Sequence, residues 1–500
     1  MVLLLASCGA EEKKADHTLR IARPADATSL DPAVTLQVGD MAILGLVYSR
    51  LTRLSRDNAP EGDLAQSWSA SPDGLTWTFK LRDGVLFDDG TKVTAAAVKF
   101  SLERIVAVGR GPSQGTFWLK SVEAADPLTV RLHLTMPFPP LATLLAMPTA
   151  SIVNPNVMTH AKGGDRAVGW LTDHTAGSGR YRVVRWDRDQ RVVLEANPHA
   201  PQPRYFDKVV FSVAPDAAAR RMQLGRGDID IGEAVAGTEA EAFRRLDGVR
   251  VVDLPAGNLL SYLTLNNARA PFNDLRVRQA VARAIDYDGL IHGILDNAAE
   301  ALPGPIPEGV PGYDATLPAP KRDLDGAKAL LRSAGYGEGL RIKLATGRIG
   351  ASVQAIQSNL RDVGITVELE QLAPGAFDAR RAGGDFDMLA DSWSVDFPDP
   401  WIVMNFLFSS ATRGAGGNPG GYSDPAVDDL LNRAQVEPDL AKRVGLYREA
   451  QRRVVAAQPI VLLYSPRSAV AMRADLTGFA VNAFQPAFYN VADMSRSGSP

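Results

Sequence analysis

Ser71-Pro-Asp-Gly-Leu-Thr-Trp-Thr-Phe-Lys-Leu-Arg-Asp-Gly-Val-Leu-Phe-Asp-Asp-Gly-Thr91 is the stretch whose reading decides the fold. From Leu75 to Leu81 apolar and polar side chains alternate with period two, the mark of a half-buried strand. Arg82-Asp-Gly84 supplies a turn into Val85-Leu-Phe87, so a β-hairpin is expected here. Asp88-Asp-Gly-Thr91 is a second turn, and Val98-Lys-Phe-Ser-Leu-Glu-Arg104 reads as a helix. Upstream, Thr18 to Ala22 reads as a strand. Thr28-Ser-Leu-Asp-Pro32 reads as a turn in which Pro32 fixes φ and Asp31 can cap the next segment. A helix from about Val38 to Ser49 comes next. The pattern is α/β.

The chain has 500 residues, of which 45% are hydrophobic and 22% charged, enough for two or three domains. A net charge of -3 gives no broad basic field, which argues against nucleic acid and for a small molecule or peptide as partner. The one cysteine, Cys8, allows neither an internal disulfide nor a thiolate metal cluster. It sits in Leu3-Leu-Leu-Ala-Ser-Cys-Gly9, which looks like the end of a bacterial lipoprotein signal, although the first seven residues lack a basic start. Lipidation of Cys8 is the expectation, with residues 1–17 as signal remnant and tether. No later stretch approaches the ~20 apolar residues of a membrane span. The body is therefore expected on the outer face of the cytoplasmic membrane, or in the periplasm, held by the lipid.

Catalytic and metal readings are weak. Ser178 in Gly177-Ser-Gly179 lacks the spacing of a nucleophile elbow even with His174 close by, and reads as a tight turn. The six histidines form no ligand pair at helical spacing, so no metal or cofactor is expected. Gly414-Ala-Gly-Gly-Asn-Pro-Gly-Gly421 lacks the lysine of a phosphate loop and reads as a mobile loop near a cleft mouth.

One further stretch carries ligand chemistry: Ala390-Asp-Ser-Trp-Ser-Val-Asp-Phe-Pro-Asp-Pro-Trp401. Asp391, Asp396 and Asp399 are interleaved with Trp393, Phe397 and Trp401, while Pro398 and Pro400 end any ladder. Carboxylates among flat apolar walls suit an organic cation; the competing reading is a solvated Asp-Pro turn. The preceding Phe386-Asp-Met-Leu-Ala390 reads as a buried strand. The acidic loop should then leave the C-terminal edge of a sheet, where open α/β sheets place ligands.

The order of these stretches resembles a known family. Leu64-Ala-Gln-Ser-Trp68, Ser71 to Thr91 and Phe100-Ser-Leu-Glu-Arg104 are similar to the solute-binding proteins of family 5, the dipeptide-, oligopeptide- and nickel-binding proteins of ABC importers. So are Gly177-Ser-Gly-Arg-Tyr181, Val192 to Pro198, Leu275 to Asp286, Ala327-Lys-Ala-Leu-Leu331, Gly335-Tyr336 and Trp393 to Pro400. The resemblance runs from about Thr18 to Phe479. Arg180 stands where the family usually has proline, and Ala96 and Ala97 replace a usual acidic pair; both look like scaffold variation.

The resemblance implies a periplasmic-binding-protein-like three-domain clamshell of type II, cluster C-like, with mixed sheets and a strand hinge. Domain I would hold residues 18–50, 172–264 and 476–500, domain II 51–171 and domain III 265–475. The crossings between I and III would fall near Ser261 to Leu265 and Ser468 to Met472. The resemblance further implies that Asp396 takes the α-ammonium group of a bound peptide. Arg348 would take its carboxylate, and Trp393, Phe397, Phe117 and Trp118 would wall the cleft. Thr28 and Ser29 would offer main-chain groups to the ligand backbone. The nickel-binding arginine before the domain II tryptophan is absent, since Gly115, Thr116 and Phe117 stand there. The implied function is a monomeric, non-enzymatic lipoprotein delivering short peptides to an ABC permease. Alternatives are an oligosaccharide, glutathione, haem or a metal chelate on the same scaffold, or a peptidase or signalling receptor.

Overall fold

The computed structural model describes residues 17–497 apart from 204, 255, 257, 258, 415, 416, 481–483 and 485–489. Cys8 and its tether lie outside the described residues, and among these no helix is long and apolar enough to cross a membrane.

Three sheets organise the chain. The first has seven strands in the order Val249–Leu254, Ser468–Arg473, Ile231–Ala236, Thr18–Arg23, Lys208–Val213, Arg191–Ala196 and Tyr181–Asp187. Thr18–Arg23 pairs in parallel with both its neighbours, and the rest is antiparallel. The second has four antiparallel strands, Ala65–Ala70, Thr76–Leu81, Thr129–Leu134 and Leu119–Asp126. The third has six, in the order Ala299–Ala301, Ile460–Pro466, Leu259–Leu265, Met388–Ser394, Leu340–Thr346 and Ile365–Gln371.

Thr76–Leu81 is a strand as its alternation predicts, but the expected hairpin does not form. Its two ladder edges are taken by Ala65–Ala70 and Thr129–Leu134, and Val85 to Phe87 has no place in the sheet. The Arg82-Asp-Gly84 turn ties back to Leu64 through the Arg82 N–H, and Phe87 is buried in the core. Residues 85–93 close on themselves instead, with Phe87 N–H donating to Thr91 O and Val93 N–H to Val85 O. Period two reveals a strand but not its partner.

The chain passes from the first sheet to the third between Leu254 and Leu259, upstream of the expected Ser261 to Leu265, which lies wholly within the third sheet. It returns at Arg467, between Ile460–Pro466 and Ser468–Arg473. The Gly177-Ser-Gly179 turn is a packing device. A Cβ on Gly177 would meet Val47 O at 1.9 Å and one on Gly179 would meet Leu46 O at 2.4 Å, so only glycine lets this turn lie against the end of the helix Val38–Val47.

Burial divides the molecule unevenly. One apolar cluster underlies the seven-stranded sheet, and another, with Val277, Val281, Ile356 and Leu360, covers one face of the six-stranded sheet. A third is shared: it joins Phe79, Trp118 and Phe138 beside the four-stranded sheet to Tyr262, Trp401, Val403 and Tyr447 on the other face of the six-stranded sheet. The helix Trp401–Phe408 is apolar at every position but Asn405, and seven of its eight residues are buried, as an interior helix requires.

Candidate functional site

The acidic stretch straddles a strand end. Met388–Ser394 pairs with Leu259–Leu265 as far as Leu259 opposite Ser394, so Asp391 and Trp393 belong to the strand and only Asp396 and Asp399 lie beyond it. On its other side the strand runs parallel to Leu340–Thr346, with Thr346 opposite Ala390. Asp396 and Arg348 therefore each follow a strand end by two residues, at the same C-terminal edge of the sheet.

The three aspartates differ in their partners. Asp399 is buried and accepts both guanidinium nitrogens of Arg443, at 2.6 and 2.7 Å; its Oδ1 also takes the Trp401 N–H at 2.9 Å where the helix begins. Burial works against the Arg443 charge, but the pairing outweighs it and raises the pKa. Asp391 lies 3.1 Å from Arg381 Nε, and burial still pushes its carboxyl above the ordinary range while Arg381 pulls it back. Asp396 has no ion pair among the described residues. Burial raises its pKa, and only a hydrogen bond from the Ser394 side chain offsets this. A carboxylate losing water without gaining a cation is held in a state that an incoming cation would relieve.

Trp393 is half-buried, packs against Phe406 with ring centroids 5.0 Å apart, and lies under Arg381, 5.6 Å from its ring. Tyr262 stands opposite Asp391 in the ladder and Leu260 opposite Trp393, so Tyr262, Asp391 and Trp393 share one face of the sheet. The Tyr262 hydroxyl and Trp393 Nε1 are buried without a hydrogen-bond partner among the described residues. Tyr262 and Arg381 were not among the residues singled out from the sequence. Tyr262 sat in a strand read only as a hinge crossing, and Arg381, on the helix Pro374–Gly383, carried no local signal.

Arg348 is exposed, and no ion pair of its guanidinium occurs among the described residues; its main chain is held by the Thr346 hydroxyl. Other expected cleft residues are placed differently. Trp118 is 2% exposed, stacks near Phe138 at 6.3 Å and donates Nε1–H to Gly115 O, so it is core. Phe397 is equally buried. The Thr28 and Ser29 N–H groups donate to Asp40, so they are not open to a ligand backbone. Asp31 does accept the Ala33 N–H as a cap would, but its carboxylate also forms a buried two-pronged pair with Arg104. Within the glycine-rich loop Asn418 is 1% exposed and donates to Ser409 O and Tyr422 O. Among the described residues no cluster of metal-ligating side chains is present.

The sheet order and the two crossings set the architecture, with a loop carboxylate at the edge of the six-stranded sheet. Comparison with known proteins names the family. The family model "Bacterial extracellular solute-binding proteins, family 5 Middle" matches residues 59–415, and the chain belongs to that family. It is 37% identical over 498 residues to the probable D,D-dipeptide-binding periplasmic protein DdpA of Escherichia coli (strain K12), spanning 96% of this chain and 94% of that one. It is 28% identical to di/tripeptide-binding protein 2 of Pseudomonas aeruginosa (strain UCBPP-PA14), over 84% of each chain. Among solved structures, the ABC transporter-associated periplasmic binding protein DppA of Helicobacter pylori in complex with the peptide STSA superposes with a TM-score of 0.82. Its sequence identity is 28%, with 96% of this chain and 98% of that chain covered. The mixed α/β architecture with several sheets is thus that of the family's periplasmic binding proteins.

Proposed function

We propose that this chain binds short peptides at the C-terminal edge of its six-stranded sheet and delivers them to an ABC permease, with no chemistry performed on them. The observation that carries this is Asp396, a partly buried carboxylate with a raised pKa and no cation acting on it among the described residues. A peptide ammonium would restore its partner through a charge-assisted hydrogen bond contributing about 1.5–3 kcal/mol. Arg348, at the same edge, supplies the opposite charge for the ligand carboxylate. Met388–Ser394 runs four residues past Ala390, the partner of Thr346. At about 3.3 Å per residue this stagger is about 13 Å, which suits a short peptide between the two charges. Trp393 walls the space, and Nε1 of Trp393 and the Tyr262 hydroxyl are donors for the peptide backbone. The relatives named for dipeptide and di/tripeptide binding support the same ligand class.

In this reading the expected domain bounds move with the crossings: residues 18–50, 172–254 and 468–500 act as the first domain, 51–171 as the second and 259–467 as the third. Closure about the crossings near Leu254 and Arg467 encloses the ligand. Cys8 carries the lipid that keeps the protein at the outer face of the cytoplasmic membrane, where it acts as a monomer; two or more acyl chains are enough for stable anchoring. Mass spectrometry of the native, undenatured protein should show a co-purified peptide or binding of added dipeptides. A bound oligosaccharide, haem or metal chelate instead would replace the peptide reading.

A further inference from the structure

Phe117 is 40% exposed, an unusual place for a phenylalanine, and its ring is nevertheless engaged. It stacks on Trp401 with centroids 5.1 Å apart and 17° between planes. Phe138 meets both rings edge-on, at 5.5 Å from each. Phe117 and Phe138 belong to the chain around the four-stranded sheet, whereas Trp401 begins a helix packed on the six-stranded sheet. Nearby, Gln435 accepts Trp401 Nε1–H at 3.2 Å and donates its amide N–H to Met136 Sδ at 3.2 Å, a polar link between the same two bodies. Trp401 also meets Phe406 edge-on at 6.0 Å, and Phe406 packs on Trp393. An unbroken row of rings therefore joins the wall of the binding edge to the opposite lobe.

We propose that Phe117, Phe138 and Trp401 form an aromatic latch between the lobes, which favours the closed form before any ligand arrives and sets how slowly a ligand leaves. The idea rests on the two-lobed closure described above, and it moves Phe117 from the ligand wall to the lobe contact. Offset-stacked and edge-to-face pairs of this geometry stabilise by amounts that change an equilibrium about two- to tenfold. A contact made between the lobes and not to the ligand multiplies the affinity of every ligand by the same factor.

The test uses the full chain with Phe117→Ala and, as rescue, Phe117→Trp, which keeps a flat ring. Small-angle scattering of the ligand-free proteins should give a larger radius of gyration for Phe117→Ala than for wild type, with Phe117→Trp restoring the wild-type value. Calorimetry and stopped flow with Ala-Ala and Phe-Phe should show about two- to tenfold weaker binding of both peptides to Phe117→Ala, by one common factor and through faster release. Equal radii of gyration would overturn the latch. A loss seen with Phe-Phe alone would also overturn it and return Phe117 to the ligand wall. If wild type binds neither peptide, the peptide reading fails while the scattering arm still decides the latch.

Discussion

Asp396 and Asp399 are three residues apart in one loop, yet they occupy opposite electrostatic situations. Asp399 is closed off by two hydrogen bonds from Arg443, which lies 44 residues further along the chain. Asp396 has lost much of its water and gained only a serine hydrogen bond. The Asp399 carboxylate with its guanidinium partner ties the start of the helix Trp401–Phe408 to Arg443. A buried carboxylate without a cation raises the free energy of the empty protein, and binding a cation relieves that cost. The difference shows that a site can be recognised by the partner it lacks within the chain.

Substitution should separate the two. Asp399→Asn leaves Arg443 buried without its counter-charge, and breaking a buried pair in this way costs about 3–5 kcal/mol of stability. Urea unfolding should show this as a lower midpoint. Asp396→Asn should leave the fold intact and weaken peptide binding by about 2–5 kcal/mol, measured by calorimetry. A stability loss at Asp396 as large as that at Asp399 would erase the distinction. Arg348→Ala should cost about 1.5–3 kcal/mol for a free dipeptide and almost nothing for its C-terminal amide, since the amide offers no carboxylate to lose. Equal losses for acid and amide would place Arg348 outside the site.

The pH dependence sharpens the contrast further. Asp396 must be ionised to hold an ammonium, so affinity should fall as pH drops through its raised pKa. The fall should begin above the ordinary carboxylate range of about 4. For the empty protein the sign reverses. The folded Asp396 carboxyl holds its proton more readily than the unfolded one, so its cost to stability is present at neutral pH and is relieved as pH falls toward the folded pKa. Taken as the difference between wild type and Asp396→Asn, binding titrations and unfolding curves between neutral pH and pH 4 should move in opposite directions; Asp63, Asp88 and Asp391, whose carboxyl pKa values burial also raises, titrate in both proteins.

Much of this was legible in the sequence, and the remainder was hidden for a common cause. The strand Thr76–Leu81, the helix through Val98 to Arg104, the acidic stretch at a sheet edge and the family itself all rest on local pattern. Asp391, Asp396 and Asp399 look alike in the chain because Arg381 and Arg443, which distinguish them, come from helices that no local spacing ties to the loop. The expected hairpin failed for a similar reason, as the ladder partners of Thr76–Leu81 include Thr129–Leu134, far along the chain. Phe117 and Trp118 are neighbours in sequence, and only packing reveals that one stacks on Trp401 while the other fills the core.

The central claim is that Asp396 is held without a cation so that a peptide ammonium can supply one. It is tested most directly by a binding cycle in which wild type and Asp396→Asn are each titrated with Ala-Ala and with N-acetyl-Ala-Ala. Acetylation removes the ammonium, so the free peptide should lose about 2–5 kcal/mol on going to Asp396→Asn, while the acetylated peptide binds both proteins weakly and about equally. Wild-type affinity of Asp396→Asn for both peptides would contradict the claim and make the carboxylate part of the scaffold.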